Sequence, residues 1–250
     1  MTGPLLRENR RPEFTVRLDE GIRWFDSDTS CTVVVSTPSA DAGLWAEFIE
    51  GAARSYHKHG IEPALDMDSL LDETNTQLFH AVVSDAGEVM GGIRAKGPLG
   101  SPEESHAIVE WADRPGLSTV YKMLSDRLPF GVVEMKTAWM TDDQSRSRAL
   151  GSTLARTPFI TMALLDAQFV VATAGSHVLN RWRRSGGVVA TKVPATPYPD
   201  DRYRTKMMWW DRSTFTNDAA PEQVWKIFNE MAILARQLDH VGAEALGSGL

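Results

Sequence analysis

The stretch GVVEMKTAWMTDDQSRSRALGST, residues 131–153, decides the fold class. Its first ten residues are largely apolar or β-prone and predict a strand over 131–140. A polar segment follows and leads into a helix-forming sequence that contains Arg148, Gly151 and Thr153. A glycine at a helix start lets the backbone approach an anion, and the exposed N–H groups there point at it. The stretch therefore predicts a strand, a loop and an anion-binding helix start.

Further strands and helices alternate on both sides of this stretch. Strands are predicted at 14–18, 22–25, 31–35, 78–83, 89–95, 167–174, 188–194 and 204–211. Helical segments are predicted at 36–60, 103–128, from a second start at Thr157-Pro158, at 176–187 and at 221–238. Helices that separate strands favour an α/β (α+β) domain in which helices flank a mixed sheet.

Composition limits the domain organisation and the partners. The 250 residues suit one domain over 14–245, preceded by a loose polar arm at 1–13. The net charge of −7 argues against non-specific nucleic-acid binding. Cys31 is the only cysteine, which excludes an intrachain disulfide framework or a cysteine-rich zinc site. No apolar run approaches 18 residues, so we expect a cytoplasmic protein without an integral membrane segment.

The element order and two motifs resemble the Gcn5-related N-acetyltransferase (GNAT) family across roughly residues 40–212. Arg148-Ala-Leu-Gly151-Ser-Thr153 is similar to the family's phosphate-binding motif, Arg/Gln-x-x-Gly-x-Gly/Ala. Trp182-Arg-Arg-Ser-Gly-Gly, residues 182–187, stands where the family has Tyr-x-Lys/Arg-x-Gly-Phe. The resemblance implies a mostly antiparallel sheet and an acyl-CoA N-acyltransferase fold.

A narrower resemblance is to the acyl-homoserine-lactone synthases and the long-chain N-acyl amino acid synthases. Its marks are a helix that ends near an Arg and a Tyr, an acidic loop, a hairpin that ends in Gly-x-x-Arg, and a Glu in the central strand. The matching residues here are Arg54, Tyr56, Asp66, Asp68, Asp72, Gly91, Arg94 and Glu134.

The resemblance implies an acyl-thioester donor, acyl-CoA or an acyl-carrier protein, a small-molecule amine acceptor and no metal. The donor's pantetheine arm would pair with the strand backbone around Thr137, Trp139 and Met140. The implied phosphate-site residues are Arg146, Arg148, Gly151, Ser152 and Thr153, with Arg156 as an added cation and Trp182 beside them. A carrier protein would instead dock on the basic patch Arg181, Arg183 and Arg184.

Three residues are candidates for catalysis. Glu134 lies on the opposite strand face from Val133 and Met135, and a buried carboxylate with a raised pKa suits a general base. The alternative for Glu134 is a salt bridge with Lys136 or Arg94. Arg94 would either fix a substrate carboxylate or neutralise Glu134. An indole N–H cannot protonate a thiolate, so His177 is the candidate to assist the leaving group in place of Trp182.

Two functions remain open from the sequence alone. The first is N-acyl transfer, by direct attack of the amine on the thioester. The second is a non-catalytic ligand-sensing or scaffold domain, which Trp182 and Thr153 favour because both depart from the family motifs. The apolar residues Met207–Trp210 line an acyl-chain tunnel or belong to the core. The apolar face of 221–238 covers the sheet or forms a homodimer interface, and it consists of Val224, Ile227, Phe228, Met231, Leu234 and Leu238.

Overall fold

Eight strands form one mixed sheet in the computed structural model, which describes residues 18, 21–143 and 145–247. The strands are β1 (Ile22–Asp26), β2 (Cys31–Ser36), β3 (Leu78–Val83), β4 (Val89–Lys96), β5 (Val132–Met140), β6 (Phe169–Gly175), β7 (Val188–Val189) and β8 (Thr205–Asp211). Their order is β1-β2-β3-β4-β5-β6-β8-β7, and every pair is antiparallel except β5 with β6. The predicted mixed, mostly antiparallel sheet is confirmed.

Seven α-helices cover this sheet in the described part of the chain. They are α1 (Ala42–His59), α2 (Met67–Leu71), α3 (His106–Glu110), α4 (Leu117–Ser125), α5 (Ser147–Leu164), α6 (Leu179–Arg183) and α7 (Pro221–Gly247). None of the described helices is long and apolar enough to span a bilayer. The arm at 1–13 and all of the strand predicted at 14–18 except Leu18 fall outside the described residues.

The helices leave room for a site on one face of the sheet. One face carries α5 and α7, whose apolar side chains share a core with β1–β6 and β8. The other face carries two separate cores, one under α1 and one under α3 and α4. Polar side chains occupy the space between those two cores, and they are described below.

The close approach of α1 to the sheet follows from its sequence. Asp41 caps the helix by accepting from the Leu44 N–H at 3.0 Å, and Gly60 ends it in the left-handed conformation. A Cβ added at Gly51 would lie 2.0 Å from the Trp139 ring. The helix therefore sits directly on β5, which a larger residue at position 51 would prevent.

The predicted second helix start at Thr157-Pro158 is wrong, because α5 runs unbroken through both residues. Proline has no N–H to give to the carbonyl of residue 154, four positions earlier. The Thr157 hydroxyl donates to that Leu154 carbonyl at 2.7 Å. Thr157 and Pro158, which suggest a helix start in the sequence, therefore lie inside the helix, where the threonine hydroxyl replaces the hydrogen bond that proline cannot donate.

Three other predicted elements differ from the structure. The strand predicted at 188–194 shortens to β7, and the helix predicted at 176–187 shortens to α6. On α7 the predicted inward face is present, but Phe228 does not belong to it, since its side chain is 56 % exposed.

A buried charged cluster joins α5, α7 and β1. Arg156 is fully buried; its Nε donates to Glu230 at 2.7 Å, and its Nη2 donates to Asp26 at 2.8 Å. Its Nη1 donates to Gln223 at 3.3 Å. We call these four residues the Arg156 cluster. Arg156 was expected to support a bound phosphate, but its guanidinium is consumed inside the core.

A β-bulge in β5 opens the sheet. Gly92 pairs with Trp139 and Arg94 with Lys136, so two residues of β5 oppose one of β4, and Thr137 has φ of 54°. Lys136 and Thr137 consequently face the same side of the sheet, between the two cores of that face. The ladder between β5 and β6 ends at Met135 with Ala172, and the two parallel strands separate beyond that pair.

Candidate active site

A cavity of about 260 Å³ occupies the opening between β5 and β6. The β5 segment 136–140 and the β6 segment 172–175 form its two walls. Since these segments no longer pair with each other, the free backbone edge of β5 is accessible to an extended ligand. The predicted donor-arm residues Thr137, Trp139 and Met140 all line this cavity.

One end of the cavity is apolar and lies on the α5 side of the sheet. Ile93, Met135, Leu154, Pro158 and Trp210 contribute to it. Of the predicted tunnel residues 207–210, only Trp210 lines the cavity, whereas Met207, Met208 and Trp209 belong to the cores. The apolar end suits an acyl chain.

The start of α5 gathers some of the predicted phosphate-site residues. Arg146 and Arg148 are exposed there, and Arg146 lies 3.6 Å from Asp143. Ser152 is half-buried, and Gly151 lines the cavity. A Cβ at Gly151 would lie 2.2 Å from the Arg181 side chain. The missing side chain thus makes room for Arg181, a cation that reaches the same cavity.

Thr153 is separated from the other residues of this motif. Its side chain is 2 % exposed, and its hydroxyl lies 2.9 Å from Asp26 in contact with the Arg156 cluster. The structure therefore does not place Thr153 with Gly151 at the cavity. The side chain of Thr153, which departs from the family motif, points into the core.

Glu134 is buried beside the cavity but does not line it. Its carboxylate accepts from the Ser105 hydroxyl at 2.9 Å and from the backbone N–H groups of His106 at 2.9 Å and Ala107 at 3.3 Å. These are the first N–H groups of α3, so Glu134 caps that helix. Both carboxylate oxygens are engaged, which does not favour Glu134 as a base acting on a substrate.

Arg94 is also fully buried and does not line the cavity. Its Nε donates to the Thr137 hydroxyl at 3.2 Å, Nη1 to Thr76 at 3.0 Å and Nη2 to Ser69 at 3.0 Å. It therefore holds the bulge and the segment 69–76 together. The expected contacts of Arg94, with Glu134 or with a substrate carboxylate, are replaced by these neutral partners.

The sequence analysis missed Glu110, the last residue of α3, which lines the cavity. One carboxylate oxygen accepts from the Thr173 hydroxyl at 2.7 Å, and the other is buried with no hydrogen-bond partner among the described residues. Burial raises the pKa of Glu110 from 4.5 to about 7. The available signal was a carboxylate inside the short apolar run 107–111.

Lys136 lines the same cavity from β5. Its ammonium nitrogen is buried and, like the second oxygen of Glu110, lacks a hydrogen-bond partner in the described ranges. Burial lowers the pKa of Lys136 from 10.5 to about 8, against the pull of Glu134 and Glu110. The predicted Glu134–Lys136 salt bridge does not form within 4.0 Å among the described residues.

A hydrogen-bonded pair borders Glu110. His106 Nε2 lies 2.8 Å from the Tyr198 hydroxyl, and His106 Nδ1 lies 3.6 Å from Asp66. Burial, followed by the charge of Lys136, lowers the pKa of His106 to about 4, so the imidazole is neutral at pH 7. Burial also raises the pKa of Tyr198. Both rings are therefore uncharged hydrogen-bonding groups around the polar end of the cavity.

The mouth of the cavity holds the remaining predicted residues. His177 is exposed and lines the mouth, with its ring centroid 6.2 Å from that of Tyr203. Trp182 also lines the cavity and packs edge-to-face on Trp210. His177 and Trp182 thus both line the cavity, and two tyrosines that line it, Tyr198 and Tyr203, carry hydroxyl groups that Trp182 lacks.

Comparison with known proteins identifies relatives of the chain. It is 48 % identical over 228 residues to uncharacterized protein Rv1356c of Mycobacterium tuberculosis and, equally, to uncharacterized protein Mb1391c of Mycobacterium bovis. The match covers 91 % of this chain and 87 % of each relative. No protein-family model matches the chain.

Among solved structures, FeeM, an N-acyl amino acid synthase from uncultured soil microbes, superimposes with a TM-score of 0.55. The sequences are 10 % identical, and the match covers 78 % of this chain and 98 % of FeeM. Such a likeness establishes the fold. The chain has the GNAT fold, as predicted, and belongs to the same family as these two mycobacterial proteins.

Proposed function

We propose that the protein is an N-acyltransferase that moves an acyl group from an acyl thioester to the amine of an amino acid. One observation carries the proposal: the buried, unpartnered polar atoms of Glu110 and Lys136 face a cavity in the opening of a GNAT sheet. Burying an unpaired charge costs several kcal/mol, and such groups concentrate at functional sites. A ligand that carries both an amine and a carboxylate supplies the two missing partners.

The donor occupies the sheet opening in this proposal. Its acyl chain lies in the apolar end, near Leu154 and Trp210, and its pantetheine arm runs along the free edge of β5. The phosphates lie at the start of α5, near Arg148 and Gly151, where N–H groups and cations favour an anion. Thr153 has no part in this site.

Glu110 is the general base. In its ionised form it takes a proton from the acceptor's ammonium group, and the neutral amine attacks the thioester carbon. The carbon–sulfur bond then breaks, the nitrogen loses its second proton to water, and an amide and a thiolate are formed. A thiol has a pKa of about 8.5, so the thiolate can recover the proton from a carboxyl group whose pKa is about 7. Binding the two substrates side by side supplies much of the rate.

Lys136 binds the acceptor's carboxylate, the role that the sequence suggested for Arg94. FeeM is an N-acyl amino acid synthase. Our proposal extends that acceptor class to this chain on the strength of Lys136, not of the fold. Glu134 acts as a positioning residue, because it caps the short helix that carries Glu110.

CoA is the favoured donor over an acyl-carrier protein. Two of the three arginines expected to dock a carrier are already engaged. Arg181 lies across Gly151 in the cavity, and Arg184 hydrogen-bonds to Glu222. Arg183, the third residue of the patch, is exposed and takes part in neither of these two contacts.

The experiment is a thiol-release assay with acetyl-CoA and a long-chain acyl-CoA, after thermal-shift titration with each donor and with CoA. Acceptors are offered as matched pairs, such as phenylalanine with phenethylamine and tyrosine with tyramine. We expect stabilisation by the acyl-CoAs and faster release with each amino acid than with its decarboxylated partner.

Equal rates within the pairs would contradict the role of Lys136 while leaving acyl transfer intact. Donor binding without turnover for any acceptor would support the alternative, a ligand-sensing domain. If CoA esters fail to bind, the same assay with an acylated carrier protein decides between a carrier-dependent enzyme and a domain without a donor site.

A further inference from the structure

Helix α7 carries a second apolar stripe, on the side that faces away from its own domain. Trp225 is 69 % exposed and Phe228 is 56 % exposed. Ala232 and Ala235 continue the same line and are also exposed. Intervals of three, four and three residues put all four on one face of an α-helix, the spacing of a helix-pairing seam. We call these four residues the outer stripe.

The outer stripe is not needed to hold α7 on the sheet. A different set of side chains does that, namely the buried Gln223, Ile227, Glu230 and Leu234. Phe228 packs on Phe215 of its own domain, with ring centroids 5.8 Å apart, and more than half of its side chain stays exposed. Two large exposed aromatic side chains in line on one helix are unusual for a surface that faces only water.

The order of side-chain sizes along the outer stripe favours a second, antiparallel copy of α7 as its partner. The large residues come first, and the small ones come one and two turns later. When two copies of α7 pair antiparallel, Trp225 lies opposite Ala235 of the partner subunit and Phe228 lies opposite Ala232 of the partner subunit. Each large side chain then meets a small one, as efficient packing requires. A parallel pair would set tryptophan against tryptophan.

Charges beside the stripe match the same arrangement. Glu222 and Arg236 lie two heptads apart on one flank of the outer stripe; both are exposed, and Glu222 also hydrogen-bonds to Arg184 of its own chain. Antiparallel pairing brings Glu222 close to Arg236 of the partner subunit, and the two-fold axis repeats the contact. Parallel pairing would leave Glu222 and Arg236 of the partner subunit two heptads apart along the helix axis, out of reach of each other. Shape and charge therefore select the same orientation.

We propose that the outer stripe of α7 binds α7 of a second copy of this chain, as an antiparallel pair about a two-fold axis near residue 230. The proposal is independent of the catalytic one, because no residue of the outer stripe lines the cavity. The inner face of α7 covers the sheet while its outer face joins the subunits, so both uses expected of this helix apply.

The first test is sedimentation velocity of the full chain over the micromolar range. We expect a concentration-dependent dimer, and Trp225→Lys should weaken it by roughly thirtyfold or more, as for a buried aromatic hot spot. Leu71→Lys is the matched control, because Leu71 is 67 % exposed on α2 and lies outside the stripe. A monomer at all concentrations, or a dimer that Trp225→Lys leaves unchanged, overturns the proposal.

Orientation is tested by exchanging the charges. Arg236→Glu should weaken the dimer, and Glu222→Lys combined with Arg236→Glu should restore it. Asn229 is exposed and lies close to the two-fold axis, so Asn229→Cys should cross-link to itself through a short bis-maleimide. Ser118→Cys is the control, and the native Cys31 is buried. Failure of both charge rescue and cross-linking rules out the antiparallel pair.

Discussion

The Arg156 cluster and the Glu110–Lys136 pair are two buried charged groups on opposite sides of the same sheet. In the Arg156 cluster each guanidinium nitrogen has a carboxylate or amide oxygen within 3.3 Å. In the pair, the Lys136 ammonium and one Glu110 oxygen have no partner among the described residues. Both arrangements pay for desolvation. Only the first regains part of that free energy through hydrogen bonds within the folded chain, and burial still raises the pKa of Glu230 to about 7.

The difference separates a group that holds the fold together from a group to which we assign a ligand. Satisfied buried charges lock elements in place, and here they tie β1 to α5 and α7. Unsatisfied buried charges make the folded state less stable and a site more reactive. Substitutions in the two groups should therefore have opposite effects on stability and on activity.

The largest effect is expected from Glu110→Gln, which removes the proposed base and keeps the shape. The rate constant kcat should fall by about 10²–10⁴-fold, the usual contribution of general base catalysis. The wild-type kcat/KM should rise with pH to a plateau above about 7, because the carboxylate must be ionised, and the variant should lack this rise. Glu103→Gln, on the exposed turn before α3, is the control.

The same variant should be more stable than the wild type at pH 8, by about 1–3 kcal/mol. The folded protein holds the Glu110 proton more tightly than the unfolded chain, where the pKa is near 4.5. Stability from this group is therefore present below pH 4.5 and is lost as the pH rises to about 7. Urea denaturation at pH 5 and pH 8 measures the change, and a destabilised variant at pH 8 would contradict it.

Arg156→Met should have the next largest effect, on stability alone. It leaves Glu230 and Asp26 buried without their cation, which costs about 3–5 kcal/mol. Urea denaturation at pH 7 measures the loss, with the exposed Arg114→Met as control. The KM for the acyl-CoA should not change in the fraction that remains folded. A raised KM would return Arg156 to the phosphate site expected from the sequence.

Lys136→Met tests the proposed binding of the acceptor's carboxylate in the Glu110–Lys136 pair. The KM for an amino acid should rise by roughly thirtyfold or more, since loss of one partner of a buried charge pair costs at least about 2 kcal/mol. The KM for the decarboxylated amine should stay the same. Folding should become more stable at pH 7, because burial disfavours the lysine's charged form. Steady-state kinetics with matched acceptors measures both KM values. An equal rise in KM for the amino acid and for its decarboxylated amine would contradict carboxylate binding by Lys136.

The smallest effect is expected from Glu134→Gln. An amide can still accept through one oxygen, so α3 stays in place with a weaker cap, and kcat should fall by about tenfold or less. The pH at which kcat/KM reaches half its plateau should remain that of the wild type. If the variant instead loses both turnover and the pH dependence, Glu134 is the base and the assignment of Glu110 is wrong.

The sequence predicted the sheet better than the site. Apolar runs such as Val33–Val35 and Val132–Val133 are buried as expected, because a strand covered on both faces needs no polar positions. The bulge at Thr137 carries no local signal, since its left-handed φ is imposed by pairing with β4. Alternation of side chains along β5 therefore predicts the face of Glu134 correctly. Beyond Thr137 it predicts the wrong face, because the extra residue of the bulge shifts the alternation by one.

The site was harder because its key carboxylate is not on the sheet. Glu134 and Arg94 were candidates because they are charged residues within strands. Both, however, form hydrogen bonds that position neighbouring segments. Glu110 lies in a weakly periodic region, and its importance follows from tertiary packing around α3. Only the packed structure shows which buried charge lacks a partner.

The placement of Glu110 on α3 also puts the proposed base and the proposed donor cleft on different parts of the chain. The proposed donor cleft is formed by β5, β6 and α5, whereas the proposed base and its neighbour His106 lie on the connection between β4 and β5. This connection can vary in sequence without altering the strands that flank it. An exchange confined to this connection should therefore remove the proposed base and leave the proposed donor cleft in place, so that donor binding survives without turnover.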